Sequence, residues 1–294
     1  MSLPIEIIKP SVEIIEANTP LQKLELCGRV CYKSEDKICD GSAERLINSI
    51  IRRGHDSVLE HFRIMVTGEF EHKFGGFRNV FEHHQTMKEN HHRRYLEHTS
   101  KNVVIGNARA WRLWLQEDID KKKYVAQALA LQYPVLFADL LVGMYFCDNA
   151  ELKYKVEEAN DYMTLRIICD RGISHEIVRH RTLSFSQEST RYCNYSGKPM
   201  QFILPIPFDW AQQESSEIYK TWLRSCQNSS DNYQQMLELG CTPQMARSVL
   251  NNSLKTEIIV TGRFYDWKGF LNLRLPKDAH PQIRIIAKMV EDNI

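Results

Sequence analysis

Between Phe62 and Phe70 the chain alternates: Phe62, Ile64, Val66 and Phe70 fall on one side, and Arg63, Met65, Thr67 and Glu69 on the other. A period of two sends successive side chains to opposite faces, so the run predicts a half-buried β-strand. A second run sets Met163, Leu165, Ile167 and Cys169 against Tyr162, Thr164 and Arg166, and a third extends from Lys255 to Thr261. Elsewhere the period is helical. Ala43, Leu46, Ile47 and Ile50 recur at that spacing until Gly54 stops them. Helices are also expected from Ala108, where Trp111, Trp114 and Leu115 share a face, and along the Ala/Leu-rich run from Tyr124 to Ala130. Further helices are expected after Asp170, from Ser215 to Leu239, from Pro243, from Asp266 and from Pro281. Strands and helices are mixed without alternating, which predicts an α+β fold: an antiparallel or mixed sheet flanked by helices.

Residues 71–161 separate the first two strands, rich in Lys, Glu and His at first and helical later. They read as a mostly helical insertion between strands that would otherwise be neighbours. The expected catalytic domain is then 1–70 joined to 162–294. The 294 residues carry 38 Lys+Arg against 37 Asp+Glu, a balance that argues against a nucleic-acid coat or an acidic tail. None of the eight cysteines forms a Cys-x-x-Cys pair, so reduced thiols in a cytoplasmic protein are expected. The start, Met-Ser-Leu-Pro-Ile-Glu, shows no secretory signal, and the apolar stretch from Tyr133 to Phe146 is broken by Asp139. That stretch falls short of the ~20 residues a membrane span needs.

The densest chemistry lies in Asp170 to Tyr195, where Arg179, His180, Arg181 and Arg191 are interleaved with Ser184, Ser186, Gln187 and Ser189. Guanidinium forks among hydroxyl and amide groups suit a phosphate-bearing ligand. For Arg-His-Arg alone, cations decorating a helix C-terminus are the simpler account. The polar run that follows has no helical face to decorate, which tips the balance toward a ligand.

Arg179-His180-Arg181, seven residues and then Ser189 resembles the signature of the flavin-dependent thymidylate synthases, and the match continues through Ser184, Ser186-Gln187 and Arg191-Tyr192. Gly54-His55-Asp56-Ser57 with Glu60-His61, Ala246-Arg247, Phe270 to Arg274 and Ala279 to Gln282 are similar to further segments of that family. The resemblance covers roughly 20–70 and 162–290 and leaves out the insertion. It implies reductive methylation of dUMP to dTMP, with methylenetetrahydrofolate as carbon donor, NADPH as reductant and FAD as cofactor. It also implies a homotetramer with active sites at subunit interfaces. None of the ten prolines precedes a cysteine, as the nucleophile of the other thymidylate synthase usually requires.

Carried over residue by residue, the resemblance assigns His55, Ser57, Arg179, His180, Arg181, Gln187 and Arg263 to FAD. It assigns Glu176, Arg179, Gln187, Ser189, Thr190, Arg191, Arg247 and Arg274 to dUMP. Arg274 is the expected catalytic side chain, set near the Trp267 and Phe270 stripe and stabilising charge on the uracil ring. Glu176 stands where compact members carry Gln. His55 as a helix cap and Arg247 as a surface arginine are the plain alternatives. Gly240, Thr242 and Pro243 predict a helix stop, an N-cap and a first helical residue, placing Arg247 about one turn inside. Asp266 is the expected N-cap before Arg274.

Histidines 72, 83, 84, 91, 92 and 98 cluster in the insertion, but without cysteines or a regular spacing, so no metal site is expected. His91-His92-Arg93-Arg94 could touch RNA or a folate's glutamate tail. The Trp111 and Trp114 stripe reads as packing. The competing reading from another class is a non-catalytic nucleotide- or RNA-binding protein using the same arginines. Yellow colour on purification separates the two.

Overall fold

The computed structural model describes residues 3–69, 78–79, 96–100, 102–145, 153–205 and 216–294. The first part of the chain holds β1 (Glu6–Ile8), β2 (Ser11–Ile14), α1 (Pro20–Val30), α2 (Ser42–Arg53), β3 (Arg63–Gly68), β4 (Arg78–Asn79), β5 (Leu96–Ser100) and β6 (Val103–Asn107). The middle adds α3 (Ala108–Glu117), α4 (Lys123–Gln132), α5 (Pro134–Phe137), β7 (Tyr154–Glu158), β8 (Tyr162–Asp170), α6 (Arg171–Ile177) and β9 (Ser184–Gln187). The last part adds β10 (Gln201–Ile203), α7 (Glu217–Glu238), α8 (Pro243–Ala246), β11 (Lys255–Arg263), α9 (Phe264–Arg274) and α10 (Pro281–Glu291). The mixture is α+β, as expected. No described helix is long and apolar enough to cross a membrane.

The chain divides into two units, 1–16 with 27–36 and 163–294, and 17–26 with 37–162. Residues 37–70, grouped by the sequence with the C-terminal part, thus pack with 71–162. The strand pairing explains this. β3 is an interior strand of a five-stranded sheet of order β4-β5-β6-β3-β7, antiparallel to β6 and β7. β8, expected as its neighbour, belongs to a different sheet. The segment 71–161 carries α3, α4 and α5, as its helical reading expects, and also supplies β4, β5, β6 and β7 to the sheet of β3. Strand pairing across a long loop leaves no local signature, whereas helical periodicity does.

In this unit Phe62, Ile64 and Val66 are fully buried, as their alternation requires; Phe70 lies outside the described residues. Arg63, on the other face, is buried as well and forks onto Asp161 at 3.3 and 3.2 Å. Asn107 caps α3 by accepting the Ala110 N–H at 2.9 Å. That start turns Trp111 onto the sheet, where its indole donates to the Ile64 carbonyl at 3.1 Å and meets Trp114 edge-on at 5.6 Å. The tryptophan stripe is packing. Histidines 72, 83, 84, 91 and 92 lie outside the described residues, and His98 is described only as backbone of β5.

Gly54 ends α2 at φ +68°, a left-handed conformation glycine adopts without a Cβ penalty, and the His55 N–H then bonds back to Ile50 O at 3.1 Å. The turn that follows buries His61 completely. Burial, and then the Lys23 charge, push the His61 imidazole down to about 3. A histidine held neutral in the fold but free to protonate when unfolded gives stability that is complete above about 6.5 and lost as pH falls toward 3. Between pH 7 and 4.5 the loss at this residue should reach roughly 2 kcal/mol. Thermal melts across that range should therefore fall less steeply for His61→Gln than for the wild-type chain; parallel curves would remove His61 from the acid response.

The other unit has a four-stranded sheet of order β2-β8-β11-β9 and a two-stranded parallel sheet of β1 with β10. β2 pairs antiparallel with β8, and β9 with β11. One face of the larger sheet is apolar. Leu165, Ile167, Ile258 and Val260 pack there with Trp267 and Phe270 of α9 and Ile283, Ile286 and Val290 of α10. The opposite face of β8 and β11 was expected to be solvated, yet Thr164, Thr261, Lys255 and Glu257 are all buried. They find partners internally: the Thr164 and Thr261 hydroxyls hydrogen-bond at 2.8 Å, Lys255 donates to Glu257 at 3.2 Å, and Arg166 forms an ion pair with Glu257 at 2.5 Å. A buried polar face survives only when its groups find partners.

Candidate functional site

Asp170 ends β8 and caps α6, its carboxylate accepting the Ile173 N–H at 2.8 Å and the Gln282 amide at 3.1 Å. This capped helix of about two turns carries Glu176 near its end and releases the chain into Arg179, His180 and Arg181. α9 then brings in Arg274 as its last residue. Arg274 donates from Nε to His180 Nε2 at 2.9 Å, from Nη1 to Glu176 Oε2 at 2.8 Å and from Nη2 to the Glu176 carbonyl at 3.2 Å. The resemblance gives this arginine the uracil ring as its partner; within the chain its ion-pair partner is Glu176. The same ion pair answers the charge that Glu176 would otherwise turn on a bound phosphate.

His180 sits edge-on to Phe270 with ring centroids 4.8 Å apart. Burial, and then the Arg274 charge, push its imidazole down to about 4. It is neutral at physiological pH, with Nε2 accepting from Arg274 and the proton therefore on Nδ1. Arg179, Arg181 and Arg247 are exposed, and among the described residues none of them has an ion-pair partner. Uncompensated guanidinium groups fit the phosphates of a dinucleotide cofactor such as FAD, and of a nucleotide.

β9 leads into the second half of the signature. Gln187 donates to the Ser174 hydroxyl at 2.9 Å and to Thr256 at 3.0 Å, so its amide is held before any ligand arrives. Glu188 turns inward, Ser189 is half-buried, Thr190 is buried, and Arg191 is exposed. The Ser189 hydroxyl accepts the Arg191 N–H at 3.3 Å, and Arg191 Nε donates to Gln244 at 2.7 Å. The Arg191 guanidinium lies 5.2 Å from the Tyr192 ring centroid.

Three local expectations change. α8 ends at Ala246, so Arg247 opens a short 3₁₀ turn rather than sitting inside a helix. Thr242 holds the N-cap position before Pro243, but its side chain makes no cap bond. Arg263, not Asp266, is the N-cap of α9; Asp266 lies in the first turn and takes the Arg263 fork at 2.6 and 2.9 Å. An arginine at the cap position cannot accept the free N–H groups, but its charge is neutralised by the carboxylate one turn on. His55 and Ser57 are exposed and belong to the unit of residues 37–162.

Lys33, Glu188, Tyr195, Lys255 and Glu257 were not anticipated. Lys255 bonds Glu188 at 3.1 Å and Glu257 at 3.2 Å, and Tyr195 donates to Glu188 at 2.6 Å. Burial alone would raise the Glu257 carboxyl, but the Arg166 and Lys255 contacts outweigh it and hold it below the usual range. Charges at alternate positions of a strand read as a wet face. The only available signal was a Glu inside an otherwise uncharged polar run.

Residues 13–143 and 154–294 match the family model described as thymidylate synthase complementing protein. The chain belongs to that family. Curated relatives named flavin-dependent thymidylate synthase include those of Saccharolobus solfataricus (36% identical over 124 residues, 42% of this chain and 45% of that protein) and Pyrococcus horikoshii (34% over 125 residues, 42% and 51%). The chain spans about half the length of the curated relatives it matches. Among solved structures, the UMP/dUMP methylase PolB of Streptomyces cacaoi is similar at 18% identity and a TM-score of 0.43, covering 98% of this chain and 91% of that one.

Proposed function

We propose that the chain is a flavin-dependent thymidylate synthase that converts dUMP to dTMP, with methylenetetrahydrofolate as carbon donor and NADPH as reductant. The observation that carries this is the signature stretch itself, where exposed Arg179 and Arg181, without ion-pair partners among the described residues, flank neutral His180, which accepts from the Arg274 fork on Glu176. Family membership makes dUMP and FAD the ligands to test. The same reading takes the active protein as a cytoplasmic homotetramer with its sites at subunit contacts.

In this reading Arg179, His180 and Arg181, with His55 and Ser57, hold FAD. Gln187, Ser189, Thr190, Arg191 and Arg247 hold dUMP, and Glu176 orients Arg274. A flavin contact through Arg263 would require exchange of its ion pair with Asp266. Bound FAD would supply the hydride-transfer chemistry that no side chain possesses. Overall, C5 of the pyrimidine gains the methylene carbon and loses its proton, and a hydride equivalent from NADPH completes the methyl group. Arg274 stabilises the negative charge that builds on the ring as C5 becomes nucleophilic. Its fork is already oriented by Glu176 and His180, so little reorganisation is needed.

Tritium release from 5-tritiated dUMP in the presence of methylenetetrahydrofolate, FAD and NADPH tests the reading directly. Release with dTMP formation is expected. Nucleotide binding without release would favour the non-catalytic alternative.

No cysteine is assigned a role. The Cys193 thiol is buried against the Cys31 carbonyl at 3.7 Å, and burial, then the Glu188 charge, push it up to about 11. A thiol that high is almost wholly protonated at neutral pH and a poor nucleophile. Cys193→Ser should therefore turn over dUMP within a few-fold of wild type. A trapped covalent adduct between Cys193 and dUMP would overturn this.

A further inference from the structure

We propose that buried Glu188 and Lys255, with the exposed Lys33 at their edge, form a clamp that positions Ser189, Thr190 and Arg191 from behind, presenting them to the phosphate and sugar of the nucleotide. The inference rests on the reading of those three residues as dUMP-binding, and it assigns a task to charges that the reaction itself does not use.

Side chains alternate along the extension of β9, so with Gln187 and Ser189 on one side, Glu188 must point to the other. Its carboxylate is almost completely buried and fully engaged. One oxygen accepts from Tyr195 at 2.6 Å and faces Lys33 at 3.4 Å; the other takes Lys255 at 3.1 Å. The Glu188 N–H donates to the Glu257 carbonyl at 2.8 Å, which extends the β9–β11 ladder past the end of β9. The next N–H, of Ser189, leaves the ladder and donates to the Cys31 carbonyl at 3.1 Å. The turn that carries Cys31 and Lys33 therefore grips the signature twice, by backbone at Ser189 and by charge at Glu188.

The turn is itself held in an uncommon conformation. Lys33 has φ +47°, the only non-glycine positive φ among the described residues. It closes the end of α1, where the Ser34 N–H reaches back to the Arg29 carbonyl at 3.3 Å. A glycine is the usual residue at such a helix exit. A lysine there accepts backbone strain, and what it gains is the ammonium contact with Glu188. The Glu188–Lys255 pair that it joins is buried; such a pair adds little stability over an apolar pair of the same volume, and its best-supported use is to specify one arrangement. Here the arrangement specified is that of the stretch ending in exposed Arg191.

The test uses the full chain and separates positioning from folding. Lys33→Gly relieves the backbone while deleting the ammonium, so it should melt no lower than wild type. Its Ser189 amide should nevertheless exchange hydrogen roughly fivefold faster, and KM for dUMP should rise by a similar factor with kcat within about twofold, because uniform binding is what is lost. Lys33→Arg, which keeps the cation, should restore both. Glu188→Gln should raise KM roughly tenfold, as loss of a charged hydrogen-bonding partner does. Wild-type exchange and wild-type KM in Lys33→Gly would overturn the clamp. A wild-type chain that fails to bind dUMP would overturn the nucleotide reading instead. The exchange rates then judge the clamp alone, and unchanged exchange at Ser189 overturns it.

Discussion

Arg274→Lys is expected to bind FAD at near wild-type occupancy and to lose dTMP formation by ~10²–10³, the usual effect of removing a donor aimed at developing charge. The charge survives the substitution; the geometry does not. Arg274 makes three contacts at once, with its Nε on His180 and its two Nη atoms on the Glu176 carboxylate and carbonyl. A lysine ammonium is a single point that cannot hold all three partners and still address a ring with two oxygens flanking N3. His180 should lose its donor as well, freeing the imidazole from a cation that lowers its pKa. The measurement is kcat and KM for dUMP with flavin occupancy read by absorbance. Wild-type kcat at full flavin loading would remove Arg274 from the chemistry.

The second large effect concerns stability. Lys255→Met should lower the thermal midpoint by roughly 10 °C, corresponding to about 3 kcal/mol, the lower end of what removing one member of a buried ion pair costs. Lys255 stands between Glu188 and Glu257, and both carboxylates are buried. Each retains another cation, Lys33 for Glu188 and Arg166 for Glu257, which keeps the loss from being larger. Adding Glu188→Gln to Lys255→Met should then destabilise by clearly less than the two single changes summed, because the second removes a charge the first left unpaired. Additive effects, or a single-variant midpoint within 2 °C of wild type, would mean that the network is not coupled.

By itself the sequence determined the elements and the chemistry they carry. Period-two runs marked β3, β8 and β11, helical stripes marked α2 and α3, and Gly54 marked the end of α2, because each of these is dictated by neighbours within a few residues. The signature from Arg179 to Arg191 was legible for the same reason: it is a run of residue types at fixed local spacing. Only the tertiary structure decided the pairings. β3 joined β6 and β7 rather than β8, so the segment between them adds strands to a sheet besides the helices its periodicity shows. It also decided which charges are wet. Lys255 and Glu257 occupy alternate strand positions that any local rule assigns to solvent, and they are buried because Arg166, Glu188 and the turn at Lys33 arrive from distant parts of the chain to pair with them. A side chain's charge is local, but its partner and its share of solvent belong to the whole fold, and neither has a period that a sequence can display.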